Sequence, residues 1–302
     1  MYLEHFNLKE MPFALTANTE FFCRLPGHQS ALNVVLVSLR NGEGFIKVVG
    51  EVGTGKTLLC RLLLERLGDD FITAYVPNPD LNPAGLRVAL AQELGLAAPY
   101  PRSQHALLEL ITNKLIEVHA TGKRVVLLMD EAQAMTTESL EALRLLTNLE
   151  TNTFKLLQVV LFGQPELDVR LNQANLRQLK QRITFSHYLN PLNRTELEDY
   201  LCHRLAKAGH TLGPLFTRKA ADLLYRKTKG IPRLINILCH KAMMIAYGRG
   251  ETRVEHKAVN MAVRDTESVA APFYQLLKLA IVIPAVLVVS IIILIIKYHH
   301  LL

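Results

Sequence analysis

The chain has 302 residues, half of them hydrophobic, and 34 Lys and Arg against 27 Asp and Glu give it a net charge of +7. This composition excludes a disordered chain, and the length predicts about two domains of roughly 150 residues each. The four cysteines are far apart and form no CxxC pair, which excludes a disulfide framework and a zinc-ligand spacing. The first twenty residues lack the basic start and apolar stretch of a secretory signal, so we expect the amino terminus to stay in the cytosol.

The positive charge is concentrated in the second half of the chain. Residues 1–169 carry 14 basic against 19 acidic side chains, whereas residues 170–264 carry 18 against 6, a balance of +12. Such a basic block fits a surface that faces anionic lipid, a nucleic-acid interface, or an ordinary solvated surface.

Short β-rich runs alternate with helix-length segments through the first 190 residues. This alternation predicts an α/β fold in which a parallel sheet carries helices on both faces. The predicted strands are FIKVV (45–49), FITAYV (71–76), VVLLM (125–129), LLQVVLF (156–162) and ITFSHYL (183–189). A helix predicted over residues 138–150 places Leu140, Leu143, Leu146 and Leu149 on one stripe.

Strand signals stop after Pro191, which divides the chain into an α/β domain (1–191) and a small all-helical domain (192–264). Helical spacing and terminal glycines predict helices within 195–209, 217–230 and 232–248. The first of these opens with a predicted capping box formed by Thr195 and Glu198. A polar linker is expected at residues 265–275.

An apolar run follows the linker, and Leu279 to Ile296 contains 18 residues without a charge. This run predicts one transmembrane helix over residues 276–296 followed by a short periplasmic tail, 297–302. The alternative is a buried core helix. Five basic residues shortly before the run, against Lys297 alone after it, predict that the large amino-terminal part is cytoplasmic.

The segment GEVGTGKT, Gly50 to Thr57, fits the phosphate-binding pattern GxxxxGK[ST] between a predicted strand and a predicted helix. Glycines in such a loop let backbone amides surround phosphates at a helix amino terminus, while Lys56 neutralises phosphate charge and Thr57 ligates Mg²⁺. The alternative is a glycine-rich turn with an incidental lysine. The residues predicted to bind nucleotide here are Gly50, Glu51, Val52, Gly53, Thr54, Gly55, Lys56, Thr57 and Leu58.

Two acidic residues follow the wholly apolar strand VVLLM. Asp130 is positioned to hold the metal, and Glu131 is positioned to polarise the attacking water. The alternative is an ordinary helix N-cap.

Three further residues stand where a γ-phosphate sensor is expected. Gln164 follows LLQVVLF and would lie beside the phosphates if that strand neighbours the first; otherwise it is a turn residue. Arg182, with Arg177 as its rival, precedes the last strand, where a cation can reach a neighbouring subunit's site or simply be solvated. Arg233 opens the helix after Gly230 and can face bound nucleotide, or it is a solvated helix residue.

With these motifs in this order, the chain resembles the AAA+ ATPases, and more narrowly the ExeA/GspA group of bacterial secretion and pilus ATPases. GEVGTGKT, DEAQ, LRLLTNLET, LFGQPEL, LRQLKQRI and GIPRLIN carry the resemblance, which covers roughly residues 1–264. The group's amino-terminal pattern is echoed by Phe6, Leu8, Pro12 and Phe13, whereas Asn7 replaces its glycine.

The resemblance implies a P-loop AAA+ core followed by a helical lid, with ATP and Mg²⁺ as cofactors. By position it makes Lys56 and Thr57 the Walker A pair, Asp130 and Glu131 the Walker B pair, Gln164 sensor 1, Arg182 the arginine finger and Arg233 sensor 2. It also implies self-association into a ring or other oligomer.

The resemblance further implies inner-membrane partners in assembly of a type IV pilus of the mannose-sensitive haemagglutinin (MSHA) type or a type II secretion machine. Members of the group carry a peptidoglycan-binding domain beyond their span. Only residues 297–302 follow the predicted span here, so cell-wall binding is not expected of this chain.

Two other functions stay open. Transposition ATPases of the TniB and TnsC type share much of this motif set, and the helical domain is basic, which would suit a DNA-binding regulator; the apolar run makes nucleic acid the less expected partner. The third possibility is a scaffold that uses ATP as a structural switch with little hydrolysis.

Overall fold

The computed structural model of the chain describes residues 2–97, 100, 103–150 and 154–270. Five parallel strands form one sheet in the order β2-β3-β4-β1-β5. They are β1 (Phe45–Gly50), β2 (Phe71–Val76), β3 (Arg124–Met129), β4 (Leu157–Gly163) and β5 (Phe185–Leu189). All five predicted strands are therefore confirmed, with ends that differ by at most two residues.

Thirteen α-helices occur in the described part of the chain. They are α1 (Tyr2–His5), α2 (Pro26–Arg40), α3 (Lys56–Arg66), α4 (Pro83–Glu93), α5 (Gln104–Ala120), α6 (Thr137–Leu146), α7 (Pro165–Leu171), α8 (Arg177–Arg182), α9 (Arg194–Lys207), α10 (Arg218–Thr228), α11 (Pro232–Gly248), α12 (His256–Arg264) and α13 (Glu267–Ala270). Helix α6 ends at Leu146, so Leu149, which the prediction over 138–150 placed in the helix, lies beyond its end, although it still packs against the core.

The sheet is buried on both faces, as expected for parallel strands covered by helices. Because successive side chains of a strand point to opposite faces, β3 contributes to two cores. Val125, Leu127 and Met129 pack with residues of α4, α5 and α6 on one side. Val126 and Leu128 pack with residues of α2 and α3 on the other side. The predicted arrangement of helices on both faces is therefore confirmed.

Strand order brings the functional segments to one edge. Strand β1 pairs with β4 and β5, and β3 pairs with the other side of β4. All strands run parallel, so the segments that follow β1, β3 and β4 lie at the same carboxyl edge of the sheet. Strands β1 and β4 are neighbours, as the interpretation of Gln164 required.

The amino-terminal residues pack on the helical domain and not on the sheet. Phe6 and Phe13 are almost fully buried in the same core as Leu197, Leu224 and Leu238. The backbone is tied there as well, since the Lys9 N–H donates to the Ala208 carbonyl at 2.8 Å. The helical domain, expected to span residues 192–264, therefore shares its core with the start of the chain.

The cap of α9 differs from the prediction. Asn193, not Thr195, is the N-cap, and its side chain accepts hydrogen bonds from the backbone N–H groups of Thr195 and Glu196. The Glu196 carboxylate accepts a hydrogen bond from the Asn193 N–H at 2.8 Å, which completes the capping box. The prediction of Thr195 and Glu198 was wrong because the helix begins at Arg194 and places Thr195 inside its first turn.

The expected polar linker begins as structured chain. Helix α13 follows α12 after a short turn, and Thr266 and Val269 are both buried. Within residues 2–97, 100, 103–150 and 154–270, no helix is long and apolar enough to cross a bilayer. The transmembrane helix predicted over 276–296 and the tail 297–302 lie outside the described residues.

Candidate nucleotide site

The loop between β1 and α3 adopts a conformation that depends on two glycines. Gly53 has φ +82° and Gly55 has φ +104°, in the left-handed region that side chains with a Cβ disfavour. A Cβ on Gly53 would also lie 2.6 Å from Cβ of Arg233. The loop therefore turns back sharply and leads into the amino terminus of α3, where N–H groups lacking helical partners attract anions.

Lys56 is the first residue of α3, and its side chain folds back over the loop. Its Nζ donates to the carbonyl oxygens of Gly50 at 2.8 Å and Glu51 at 2.9 Å. Burial lowers the pKa of Lys56, and the nearby carboxylates of Glu131 and Asp130 oppose that shift. Phosphate oxygens of a bound nucleotide can therefore replace the two carbonyl oxygens that the Lys56 ammonium group contacts.

The rest of the loop supports this geometry. Thr54 is fully buried and its hydroxyl donates to the Glu51 carbonyl at 2.9 Å. Val52 at the loop's tip is 52 % exposed, and Leu58 in the first turn of α3 lines the adjoining cleft.

A histidine that the sequence did not suggest holds the phosphate loop in place. His28 of α2 is buried, and its Nε2–H donates to the Thr54 carbonyl at 2.8 Å. Burial lowers the pKa of His28, with the Thr54 hydrogen bond opposing the shift. No motif marks this residue, because the contact joins positions 26 residues apart.

Asp130 follows β3 and is 2 % exposed, with the Thr57 hydroxyl as a hydrogen-bond partner. Burial raises the pKa of Asp130, while the hydrogen bonds from Thr57 and from the Glu131 N–H lower it. A carboxylate beside a hydroxyl at the phosphate loop suits Mg²⁺, which prefers oxygen ligands and binds through one or two carboxylates together with substrate phosphates. The predicted metal pair, Thr57 and Asp130, is therefore adjacent in the structure.

Glu131 lies next to Asp130 in a left-handed conformation, with φ +52°. Its Oε2 accepts hydrogen bonds from Nε2 of Gln164, at 2.9 Å, and from Nε2 of Gln133. The Gln133 side chain also accepts from the Gln164 N–H at 3.0 Å. The structure thus brings Gln164 to Glu131, a contact that the sequence did not predict, and adds Gln133, whose only sequence signal was its place in DEAQ.

A cleft of about 180 Å³ that is open to solvent lies beside these groups. The phosphate loop and Glu131 line one side of it, and the helical domain lines the other. Arg233 lies at the start of α11, where its N–H donates to the Gly53 carbonyl at 3.1 Å. The predicted sensor position is therefore in direct contact with the phosphate loop.

The far wall of the cleft was not predicted. It contains residues 14–18 together with Tyr200, Arg204 and Asn236 from the helical domain. Asn236 accepts from the Tyr200 hydroxyl at 2.9 Å, and its Nδ2 donates to the Ala14 carbonyl at 3.4 Å. These residues come from three distant parts of the chain, so no local pattern could identify them.

Arg204 holds that wall in place. Its Nε donates to the Pro12 carbonyl at 2.5 Å, and its guanidinium stands 4.6 Å from the Phe21 ring centroid, a cation–π contact. Burial lowers the pKa of Arg204. The arginine therefore links α9 to the amino-terminal segment on which the cleft depends.

The two arginines before the last strand lie apart from the cleft. Arg182 ends α8 and its Nη1 is 3.5 Å from the Thr147 hydroxyl, whereas Arg177 begins α8 and is exposed. Neither residue lines the cleft of its own chain.

Comparison with known proteins identifies a matching family model and a related protein. A family model described as "AAA domain" matches residues 39–171, which include the phosphate loop, Asp130, Glu131 and Gln164. General secretion pathway protein A of Aeromonas hydrophila is 42% identical over 269 residues, which is 89% of this chain and 49% of that protein. The chain thus spans about half the length of this relative.

Solved structures share the fold at low identity. The ORC2 protein of Aeropyrum pernix matches 84% of this chain and 70% of its own, with a TM-score of 0.59 and 18% identity. Cdc6p of Pyrobaculum aerophilum matches 87% of this chain and 70% of its own, with a TM-score of 0.61 and 18% identity. The AAA-domain match over residues 39–171 and the 42% identity to general secretion pathway protein A together support membership of the AAA+ ATPase group that includes that protein.

Proposed function

We propose that this chain binds ATP with Mg²⁺ and hydrolyses it, using the energy to assemble an envelope machine at the inner membrane. One observation carries the proposal. Lys56, Thr57, Asp130, Glu131 and Gln164 converge at the carboxyl edge of one sheet, next to a cleft walled by the helical domain.

The phosphate loop and the helical domain together account for nucleotide binding. The amides at the start of α3 and the Lys56 ammonium group take the phosphates, which requires Lys56 to leave the Gly50 and Glu51 carbonyls. Thr57 and Asp130 would hold Mg²⁺, which would supply positive charge to neutralise the nucleotide phosphates. Arg233 reaches the nucleotide from α11.

Hydrolysis requires a water aligned with the γ-phosphorus. Glu131 accepts that water's proton, and Gln164 donates a hydrogen bond towards the transferred phosphoryl group. Arg182 lies outside its own cleft, which supports a role as a finger that completes the site of a neighbouring subunit in an oligomer. Arg177 is the rival for that role.

Location and partners follow from the relative and from the apolar run at 279–296. The name of general secretion pathway protein A supports a secretion machine as the assembly served. A type IV pilus of the MSHA type is proposed on the resemblance of the sequence motifs alone. We propose a cytoplasmic ATPase held by a carboxy-terminal anchor, with inner-membrane and periplasmic assembly proteins as partners.

The test of the enzymatic proposal uses the full chain and two variants. Glu131→Gln is expected to bind ATP at wild-type affinity, to lose turnover by about 100-fold or more and to favour oligomers, because the water loses its base. Lys56→Ala is the control and is expected to lose ATP binding. Equal turnover in wild type and Glu131→Gln would contradict hydrolysis at this site.

The scaffold alternative is separated by the same assay. A wild-type chain that binds ATP through Lys56 but shows no steady-state turnover would be a nucleotide-switched scaffold. Crosslinking in membranes followed by identification of the neighbours tests the assembly role, and recovery of no secretion or pilus component would contradict it.

One observation favours the DNA-binding alternative. Five exposed basic residues lie on or next to α10, and none forms an ion pair with the described part of the chain: Arg218, Lys219, Arg226, Lys227 and Lys229. Filter binding with duplex DNA at increasing salt decides this point. Salt-sensitive binding that ATP enhances would support the DNA-binding alternative, and no binding would oppose it.

A further inference from the structure

Gln133 lies between Glu131, which follows β3, and Gln164, which follows β4. It lies in the turn after β3, two residues beyond Glu131, and is half-buried. Its Nε2 donates to Glu131 Oε2, while its Oε1 accepts from the Gln164 N–H at 3.0 Å. One side chain therefore joins the carboxylate that follows β3 to the backbone that follows β4.

The two contacts need a side chain with both a donor and an acceptor, which the neutral amide of Gln133 supplies on separate atoms. A carboxylate has no donor for Glu131, and an ammonium or guanidinium group has no acceptor for the Gln164 N–H. The isosteric substitution Gln133→Glu would keep the acceptor and lose the donor. The hydrogen-bond pattern thus specifies the chemistry of the residue as well as its size.

The pattern also orients Glu131. Its Oε2 accepts from both Gln133 and Gln164, whereas no residue of the described chain donates to its Oε1. A carboxylate held by one oxygen presents the other to solvent, and Glu131 lines the cleft. Oε1 is therefore the oxygen available to a water.

Two further contacts hold the segments around Gln133 in place. Arg170 of α7 donates to the Met135 carbonyl, which closes the turn onto α7. Lys47 of β1 forms an ion pair with Asp168 of α7. Helix α7 is thus attached both to the turn and to β1, the strand that leads into the phosphate loop. Gln133 therefore connects Glu131 to a helix whose position is fixed by other contacts.

We propose that Gln133 is a positioning residue for ATP hydrolysis, which ties the Glu131 carboxylate to the amino terminus of α7 and leaves Oε1 directed at the water. The proposal rests on the proposed hydrolysis at Glu131. Gln133 itself is not among the residues that line the cleft.

The first experiment compares wild type, Gln133→Ala and the control Gln92→Ala in the full chain. Gln92 is an exposed glutamine on α4, far along the sequence from the site. Gln133→Ala is expected to lower kcat by about 10- to 100-fold, part of the contribution of a positioned base, with KM and affinity for ATP within about twofold of wild type. Gln92→Ala is expected to match wild type.

The second experiment uses pH and the isosteric variant. Gln133→Glu is expected to lose turnover at pH 8 and to recover relative to wild type as the pH falls, because protonation of the introduced carboxyl restores a donor. A residue that merely fills space would show no such recovery.

The third experiment is a double-mutant cycle. Because Gln133 and Gln164 act on the same Glu131 oxygen, Gln133→Ala combined with Gln164→Ala is expected to lose less kcat than the product of the two single losses.

The outcomes are distinct. Wild-type turnover in Gln133→Ala or in Gln133→Glu at pH 8, or a loss of kcat matched by losses of ATP affinity and thermal stability, would overturn the role of Gln133. Absence of turnover in wild type, with Lys56→Ala no different, would overturn the proposed hydrolysis and this role together.

Discussion

Phe13 offers a test of how the amino-terminal segment supports the cleft. Its side chain is 1 % exposed and packs edge-to-face on Phe216 of the helical domain, with ring centroids 5.9 Å apart. Ala14, the next residue, begins the cleft wall and accepts hydrogen bonds through its carbonyl from Arg204 and Asn236 at 3.4 Å. Truncation at Phe13 should therefore weaken both the helical core and the nucleotide site.

The magnitude follows from the burial. Replacing a fully buried phenylalanine by alanine costs about 3–5 kcal/mol, which includes the transfer of the ring and the cavity left behind. For a chain of this size, about 2–4 °C of melting temperature is lost per kcal/mol, so Phe13→Ala is expected to melt roughly 10 °C lower. If the segment undocks, we also expect a loss of ATP affinity of about tenfold, or ~1.4 kcal/mol.

The assay is thermal unfolding of the full chain with and without ATP, together with titration of a fluorescent ATP analogue. Met11→Ala is the matched control, since Met11 lies in the same segment but is 50 % exposed, and little change is expected there. A melting temperature and ATP affinity equal to wild type in Phe13→Ala would refute the packing of this segment on the helical domain.

Two further predictions concern the phosphate loop. Gly53→Ala forces a Cβ against Arg233 and is expected to lower ATP affinity by about tenfold or more. The control is Gly42→Ala, where φ is +83° and the added Cβ meets open space; it is expected to lose only the ~1–2 kcal/mol of stability of a left-handed alanine and to keep its ATP affinity. Equal ATP affinities in the two variants would contradict the close contact. Because burial lowers the pKa of His28, its neutral ring contributes stability that is present above the unfolded pKa of about 6.5 and is lost as the pH falls below it. Melting temperatures from pH 8 to pH 5.5 should therefore fall less steeply in His28→Gln, which keeps a donor for Thr54, and parallel curves would contradict this account.

Local patterns were sufficient wherever the chemistry lies within one stretch of chain. The phosphate loop is flanked by the strand and the helix that its mechanism needs, and Asp130 directly follows the wholly apolar run VVLLM. Such features depend on side-chain periodicity and on the backbone freedom of glycine, which adjacent residues decide. The sequence by itself therefore determined the α/β class, the helical domain, and the positions of Lys56, Thr57, Asp130 and Glu131.

The tertiary structure decided which distant segments meet. Gln164 could be placed beside Glu131 only once β4 was found between β1 and β3, and Gln133 gained a role only through its bonds to both. Periodicity along one segment says which face of a strand is buried but not which strand lies beside it. For the same reason, the packing of Phe13 on the helical domain and the contact of His28 with Thr54 had to come from the fold, because they join segments that no local pattern relates.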